Sequence, residues 1–115
     1  MKHLLFAAAF SAATLMAQTP AGDAANGKKL FLRDGCYQCH GYAGQGGAAG
    51  ARIAAIGLTA QGLIRYVRAP GGAMPAFTDK VITDQELTDV WAYLQTMPKA
   101  KAPKDIPLLN ALEKK

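Results

Sequence analysis

The chain has 115 residues, a formal net charge of +5 and two cysteines. A chain of this length can bury one modest hydrophobic core, which indicates a single small domain. Five lysines and two acidic residues lie in 99–115, whereas 18–98 is nearly neutral. A nucleic-acid-binding protein needs a basic face with base-stacking aromatic residues, so nucleic acid is not expected as a partner.

The first 17 residues have the pattern of a secretory signal peptide. Lys2 precedes an apolar run that extends from Leu4 to Ala17, and the small Ala17 suits cleavage. A membrane anchor is the alternative, but this run has 14 residues, whereas a membrane-spanning helix needs roughly 20. We therefore expect export to the periplasm and a mature chain, 18–115, that has no integral membrane span.

A first helix is predicted from Asp23 to Asp34, with the Asp23 side chain as its N-cap. Gly27 and Phe31 lie four residues apart and share one face of this helix. A second helix can therefore approach closely at the glycine, beside the aromatic ring.

Both cysteines follow this helix, in the stretch GCYQCHG. Cys36, Cys39 and His40 lie at i, i+3 and i+4, so a turn of helix directs all three to one side. In an exported chain, C-x-x-C-H is typical of covalent haem attachment, in which the thiols add to the vinyl groups and the imidazole binds iron. A structural disulfide stabilises a protein most when it closes a long loop, and this pair closes almost none.

Two other uses of this stretch each lack a component. A structural zinc site needs four ligands, but 18–115 contains only these two cysteines and His40 among the usual nitrogen and sulfur ligands. A thioredoxin-type dithiol pair would need a βαβ context, which the sequence does not indicate.

The remaining elements are also helices and loops. Six glycines make 41–57 irregular, a second helix covers 59–68 and stops before Pro70, and 69–77 is a loop. The last helix covers 83–97, with a capping box at its start and apolar residues at i, i+3, i+4 and i+7. The capping residues are Thr83 and Glu86, and the apolar ones are Leu87, Val90, Trp91 and Leu94. Because no segment alternates with period two, the predicted fold class is all-α.

An iron bound by His40 needs a second axial ligand from the rest of the mature chain, which has no other histidine. Met74 precedes Pro75 and is therefore biased towards an extended conformation, in a loop that can hold a thioether over the iron. Met97 lies at the end of the last helix, where methionine usually fills the core. We predict Met74 as the ligand, with Met97 as the alternative.

Three further polar residues are candidates for contacts with the haem propionates. Arginine and tyrosine donate hydrogen bonds to carboxylates, although exposed arginines are more often solvated. The candidates are Arg52, Tyr66 and Arg68.

These motifs together resemble a monohaem class I c-type cytochrome of the bacterial periplasmic type. The resemblance covers 24–98 and rests on GCYQCHG, the glycine-rich stretch, YVRAPGGAMPAF and WAYLQTMP. It implies a cytochrome c-like helical fold, with the first and last helices crossed, around one covalent haem c. Its residues would be Cys36 and Cys39 as thioether links and His40 and Met74 as axial ligands.

The family often has a proline at the position of Ala51, and the carbonyl of that proline accepts the other N–H of the proximal imidazole. Ala51 also has a carbonyl, so the resemblance implies that this hydrogen bond can persist.

The resemblance implies one-electron transfer rather than catalysis, because both axial positions of the haem would be filled. The expected partners are redox proteins: a membrane complex, an oxidase or a periplasmic dehydrogenase. The alternative is a gas-binding or sensor module in which Met74 is displaceable. A peroxidase would usually need a distal histidine, which the mature chain lacks.

The domain organisation predicted is a signal peptide in 1–17, a cytochrome c domain in 18–98 and a basic tail in 99–115. The tail contains Ile106 and three leucines after a Lys/Pro-rich linker. We interpret it as a strap over the surface of the domain, with a docking segment for a partner as the alternative.

Overall fold

The computed structural model describes residues 21–113, so the predicted signal peptide in 1–17 lies outside the described residues. Five α-helices and one 3-10 helix form this part of the chain, and no strand is found in it, which confirms the all-α class. The helices are α1 (Ala24–Arg33), α2 (Cys36–His40), α3 (Ala60–Arg68), α4 (Asp84–Thr96), a 3-10 helix (Pro103–Asp105) and α5 (Pro107–Glu113).

The helices begin where the sequence provides caps. The Asp23 carboxylate accepts hydrogen bonds from the first turn of α1, and the Thr59 hydroxyl caps α3. Thr83 and Glu86 form both hydrogen bonds of the predicted capping box of α4. Each cap satisfies backbone N–H groups that have no partner within the helix.

The crossing of α1 and α4 is the central packing contact of the domain. A Cβ atom at Gly27 would overlap the backbone oxygen of Asp89, so only glycine permits this approach. Beside it, Phe31 is fully buried and meets the ring of Tyr93 edge-on, with ring centroids 5.6 Å apart. The close approach of a second helix, predicted from Gly27 and Phe31, is therefore confirmed.

Asp89 adds a buried polar link to the same crossing. Its carboxylate is buried and accepts hydrogen bonds from the backbone N–H of Asp23 at 2.9 Å and from the Asn26 amide at 2.9 Å. The Gln85 amide also donates to it at 3.1 Å. Burial opposes ionisation of Asp89, but these hydrogen bonds outweigh it and hold its pKa below the ordinary value.

The helices in the described part of the tail do not pack on the domain. Within the described residues, α5 contacts the 3-10 helix but none of α1 to α4, and the Asn110 amide donates to the Lys104 carbonyl at 2.6 Å. Leu108 is 72% exposed and Leu112 is 62% exposed. The interpretation of this segment as a strap is therefore wrong.

No helix within 21–113 is both long enough and apolar enough to cross a bilayer.

Candidate functional site

A cavity of about 750 Å³ occupies the centre of the domain, within the range of about 300–1,000 Å³ typical of ligand pockets. Its walls come from all four helices α1 to α4 and from the two loops that follow α2 and α3. Most of the lining is aliphatic or aromatic. The four residues predicted as haem links and iron ligands, Cys36, Cys39, His40 and Met74, all line it.

Helix α2 presents both thiols and the imidazole to this cavity. Cys36 and Cys39 are free rather than joined in a disulfide. Burial, assisted by the nearby Asp34 carboxylate, raises the pKa of the Cys36 thiol to about 11. Cys36 is therefore protonated at neutral pH, unlike the thiolate that a reactive dithiol pair requires.

The His40 ring is oriented by a backbone carbonyl. Its Nδ1 atom lies 2.6 Å from the Ala51 oxygen. Because a carbonyl can only accept, Nδ1 carries the proton and donates it. In the neutral imidazole, Nε2 is then the nitrogen without a proton, the one that can bind a metal. The hydrogen bond that the resemblance implied at Ala51 is thus present.

Residues 41–57, here called the proximal loop, are braced along their length. The Gly46 N–H donates to the His40 carbonyl at 2.8 Å, and the Gly47 N–H donates to the Gly50 carbonyl at 2.9 Å. A Cβ atom at Gly50 would lie only 2.9 Å from the Cys39 carbonyl oxygen. Glycine at this position therefore lets the loop pass close behind the cysteine.

Residues 69–77, here called the distal loop, carry Met74 to the cavity. Met97, the alternative iron ligand, is 7% exposed and belongs to the hydrophobic core. It does not line the cavity; a Cβ atom at Gly44 would overlap its sulfur. The structure therefore brings His40 together with Met74 but not with Met97.

The arrangement fits a covalently bound haem. The cavity is large and mostly apolar, two free thiols line it from a single helix turn, and an imidazole held by a backbone carbonyl lies beside them. These are the groups by which a c-type haem is attached and ligated.

Comparison with known protein families agrees with this chemistry. The family described as cytochrome c oxidase, cbb3-type, subunit III matches residues 22–94, more than half of the chain. The chain belongs to this family. Neither a curated protein nor a solved structure shows significant similarity to the chain.

Membership confirms that the chain is a c-type cytochrome with a small all-α fold. A cytochrome c domain carries covalently bound haem c, transfers electrons and has redox partner proteins. Cytochromes of this type typically work outside the cytoplasm.

The polar candidates of the cytochrome domain separate into two groups. Arg52 and Tyr66 line the cavity, and the Arg52 guanidinium donates to the Pro98 carbonyl. Arg68 does not line it. Its guanidinium is occupied by the carbonyls of Phe77 and Ile82, so its prediction as a propionate contact is wrong.

Sequence reasoning missed Arg33, which lines the same cavity and forms ion pairs with Asp34 and Glu86. These carboxylates raise its pKa further above its ordinary value, so it stays charged. Its position three residues before Cys36 was the available signal, since residues so near the attachment helix lie close to the cavity.

Proposed function

We propose that this chain is a periplasmic electron-transfer protein that holds one haem c through Cys36 and Cys39, with His40 and Met74 as axial ligands. The observation that carries the proposal is the convergence of these four side chains on one cavity. His40 belongs to helix α2 and Met74 to the distal loop, so the two proposed ligands would reach the iron from different segments of the chain.

The haem supplies a one-electron couple at its iron. The chain's own residues would tune and protect this couple. A Met74 thioether would raise the reduction potential, and the mostly apolar lining would limit the contact of the haem with water. Two thioether links on one helix prevent loss of the cofactor.

His40 would act as a ligand of set orientation and basicity. Donation from Nδ1 to the Ala51 oxygen, at 2.6 Å, fixes the tautomer and makes the opposite nitrogen more basic. The braced proximal loop keeps the Ala51 carbonyl in place. The ring is therefore oriented by contacts within the chain itself.

Export to the periplasm is proposed from the signal-peptide pattern of 1–17. It agrees with the compartment in which c-type cytochromes typically work.

The decisive experiment is the visible spectrum of the purified periplasmic protein, oxidised and reduced, with a pyridine haemochrome assay and carbon monoxide added to the reduced form. We expect a covalent c-type spectrum, a weak methionine-to-iron band at the red end and no response to carbon monoxide. Absence of covalent haem would contradict the whole proposal. Rapid carbon monoxide binding would instead favour the gas-binding alternative.

A free carrier and a permanent oxidoreductase subunit are both compatible with this chemistry. The exposed leucines of α5 favour the subunit, because an unburied apolar face beside several lysines suits docking to an acidic partner surface. The test is size-exclusion chromatography of native extracts, comparing the full chain with a chain that ends at Pro98. Co-elution with a larger enzyme that is lost on truncation supports the subunit, and elution as a small protein in both cases supports the carrier.

A further inference from the structure

Arg68 is the last residue of α3 and the residue directly before the distal loop. Its side chain is 24% exposed. One guanidinium nitrogen, Nη1, donates to the Phe77 carbonyl at 2.9 Å, and Nη2 donates to the Ile82 carbonyl at 2.9 Å. Nη2 also forms an ion pair with Asp84, at 2.6 Å, at the start of α4.

These partners close the distal loop at its base. The loop leaves α3 at Ala69 and returns at Phe77, whose backbone N–H donates to the Val67 carbonyl at 3.1 Å. Phe77 is therefore held from both sides, through its N–H by Val67 and through its carbonyl by Arg68. Phe77 and Ile82 both line the cavity, so the Arg68 contacts lie directly behind its wall.

The loop contains one local turn, at Gly72 and Ala73. Among the described residues, no side-chain hydrogen bond and no backbone hydrogen bond to another segment involves 70–76. Met74, in the middle of this span, packs against the hydrophobic core, so its position depends on that packing and on how the two ends of the loop are held. A loop whose ends are released samples many more conformations.

We propose that Arg68 is a positioning residue for Met74. Its contacts with Phe77, Ile82 and Asp84, here called the clasp, hold the base of the distal loop, so that the Met74 thioether stays at the iron. This inference rests on the proposed Met74 ligation. Arg68 does not touch the haem site and acts only through the loop. A guanidinium suits the task because its planar fork can reach two carbonyls and a carboxylate at once, whereas the lysine ammonium is a compact point charge.

The test uses the haem-loaded protein in four forms: the parent, Arg68→Ala, Arg68→Lys and the control Asp89→Asn. The control weakens the α1–α4 crossing and leaves the clasp intact. The measurements are the rate of carbon monoxide binding to the reduced protein, the intensity of the methionine-to-iron band and the denaturant midpoint of each form.

We expect Arg68→Ala to bind carbon monoxide roughly tenfold faster than the parent, because the rate follows the fraction of molecules with Met74 off the iron. Its methionine-to-iron band should weaken. Arg68→Lys keeps the positive charge beside Asp84 but loses the planar guanidinium. Its rate of carbon monoxide binding should therefore lie between those of the parent and Arg68→Ala. Asp89→Asn should lower the denaturant midpoint and leave the ligand-binding rate unchanged.

Equal rates for the parent and Arg68→Ala would overturn the inference, and so would an equal acceleration in Asp89→Asn, which would mean general loosening. If Arg68→Ala does not fold, Arg68→Lys and the parent decide the matter by the same comparison. Rapid carbon monoxide binding by the parent would contradict the Met74 ligation itself. If the parent and Arg68→Ala both bind carbon monoxide slowly, only the role of Arg68 is contradicted.

Discussion

The proximal and distal loops approach the same cavity but are held in different ways. The proximal loop is crossed by backbone hydrogen bonds, among them those from Ile53 and Ala54 to the Gly44 carbonyl, both at 2.9 Å. Hydrogen bonds from the distal loop to other segments are found only at its base, through Arg68 and Val67. The orientation of His40 is thus fixed by backbone hydrogen bonds, whereas the position of Met74 depends on core packing and, in our proposal, on the Arg68 contacts and a bond to the iron.

This difference indicates which side of the haem site can respond to ligands. Segments with few backbone hydrogen bonds open at low free-energy cost. Exchange of an axial ligand is therefore expected on the Met74 side, while the His40 side stays in place. The predictions that follow test this contrast, beginning with the largest effect.

Replacing both cysteines, Cys36→Ala with Cys39→Ala, should abolish covalent haem, because no other thiol exists in the chain. The measurement is the pyridine haemochrome assay on denatured, acid-extracted protein. Tyr37→Phe is the matched control, since Tyr37 lies between the cysteines but does not line the cavity. Covalent haem in the double variant would disprove attachment through Cys36 and Cys39.

Met74→Ala should remove the methionine-to-iron band and open one axial position to carbon monoxide. The proximal side should be unaffected, because the His40 to Ala51 hydrogen bond involves no residue of the distal loop. Carbon monoxide titration measures the first effect. Solvent exchange of the His40 Nδ1 proton in the reduced protein, followed by NMR, measures the second. An unchanged low-spin spectrum in Met74→Ala would show that another residue ligates the iron.

The same glycine-to-alanine change should have unequal effects in the two loops. Gly50→Ala places a methyl group against the Cys39 backbone and should cost about 1–3 kcal/mol of unfolding free energy. Gly71→Ala, in the distal loop, meets only the Tyr66 hydroxyl at 3.9 Å and should be nearly neutral. Denaturant unfolding of the two variants measures the difference. Similar losses of unfolding free energy for the two variants would contradict the difference between the proximal and distal loops.

Asp89 should make a smaller, pH-dependent contribution to the stability of the α1–α4 packing. Its folded-state pKa lies below the ordinary value of about 3.9. Its contribution is therefore present above that ordinary value and is lost as the pH falls through the folded-state pKa. Asp89→Asn should lower the unfolding free energy by about 1 kcal/mol at neutral pH.

The measurement is denaturant unfolding of the parent and Asp89→Asn from neutral pH to below pH 4, roughly the pKa of an unfolded aspartate. The difference between the two proteins should be constant near neutral pH and should shrink in acid. A difference that is independent of pH throughout would show that the Asp89 charge plays no part.

The sequence was sufficient wherever the determining contact is local. Asp23 and Thr83 lie beside the helix ends that they cap, and Cys36, Cys39 and His40 share one helical turn. Gly27 is a partial exception, since its meaning required a second helix, but the Gly27 and Phe31 pair marked the face that the helix would cover.

Tertiary structure alone decided what the arginines and the tail do. Arg68 was a reasonable candidate for a haem propionate from its type and position, yet its partners are the carbonyls of Phe77 and Ile82 and the carboxylate of Asp84, which only the fold brings within reach. Arg52 similarly reaches Pro98 across the domain. An arginine side chain has five donors and can satisfy them with any nearby oxygen. Local pattern therefore determined the helices and the attachment motif, whereas the destination of each long polar side chain depended on packing between segments distant in sequence.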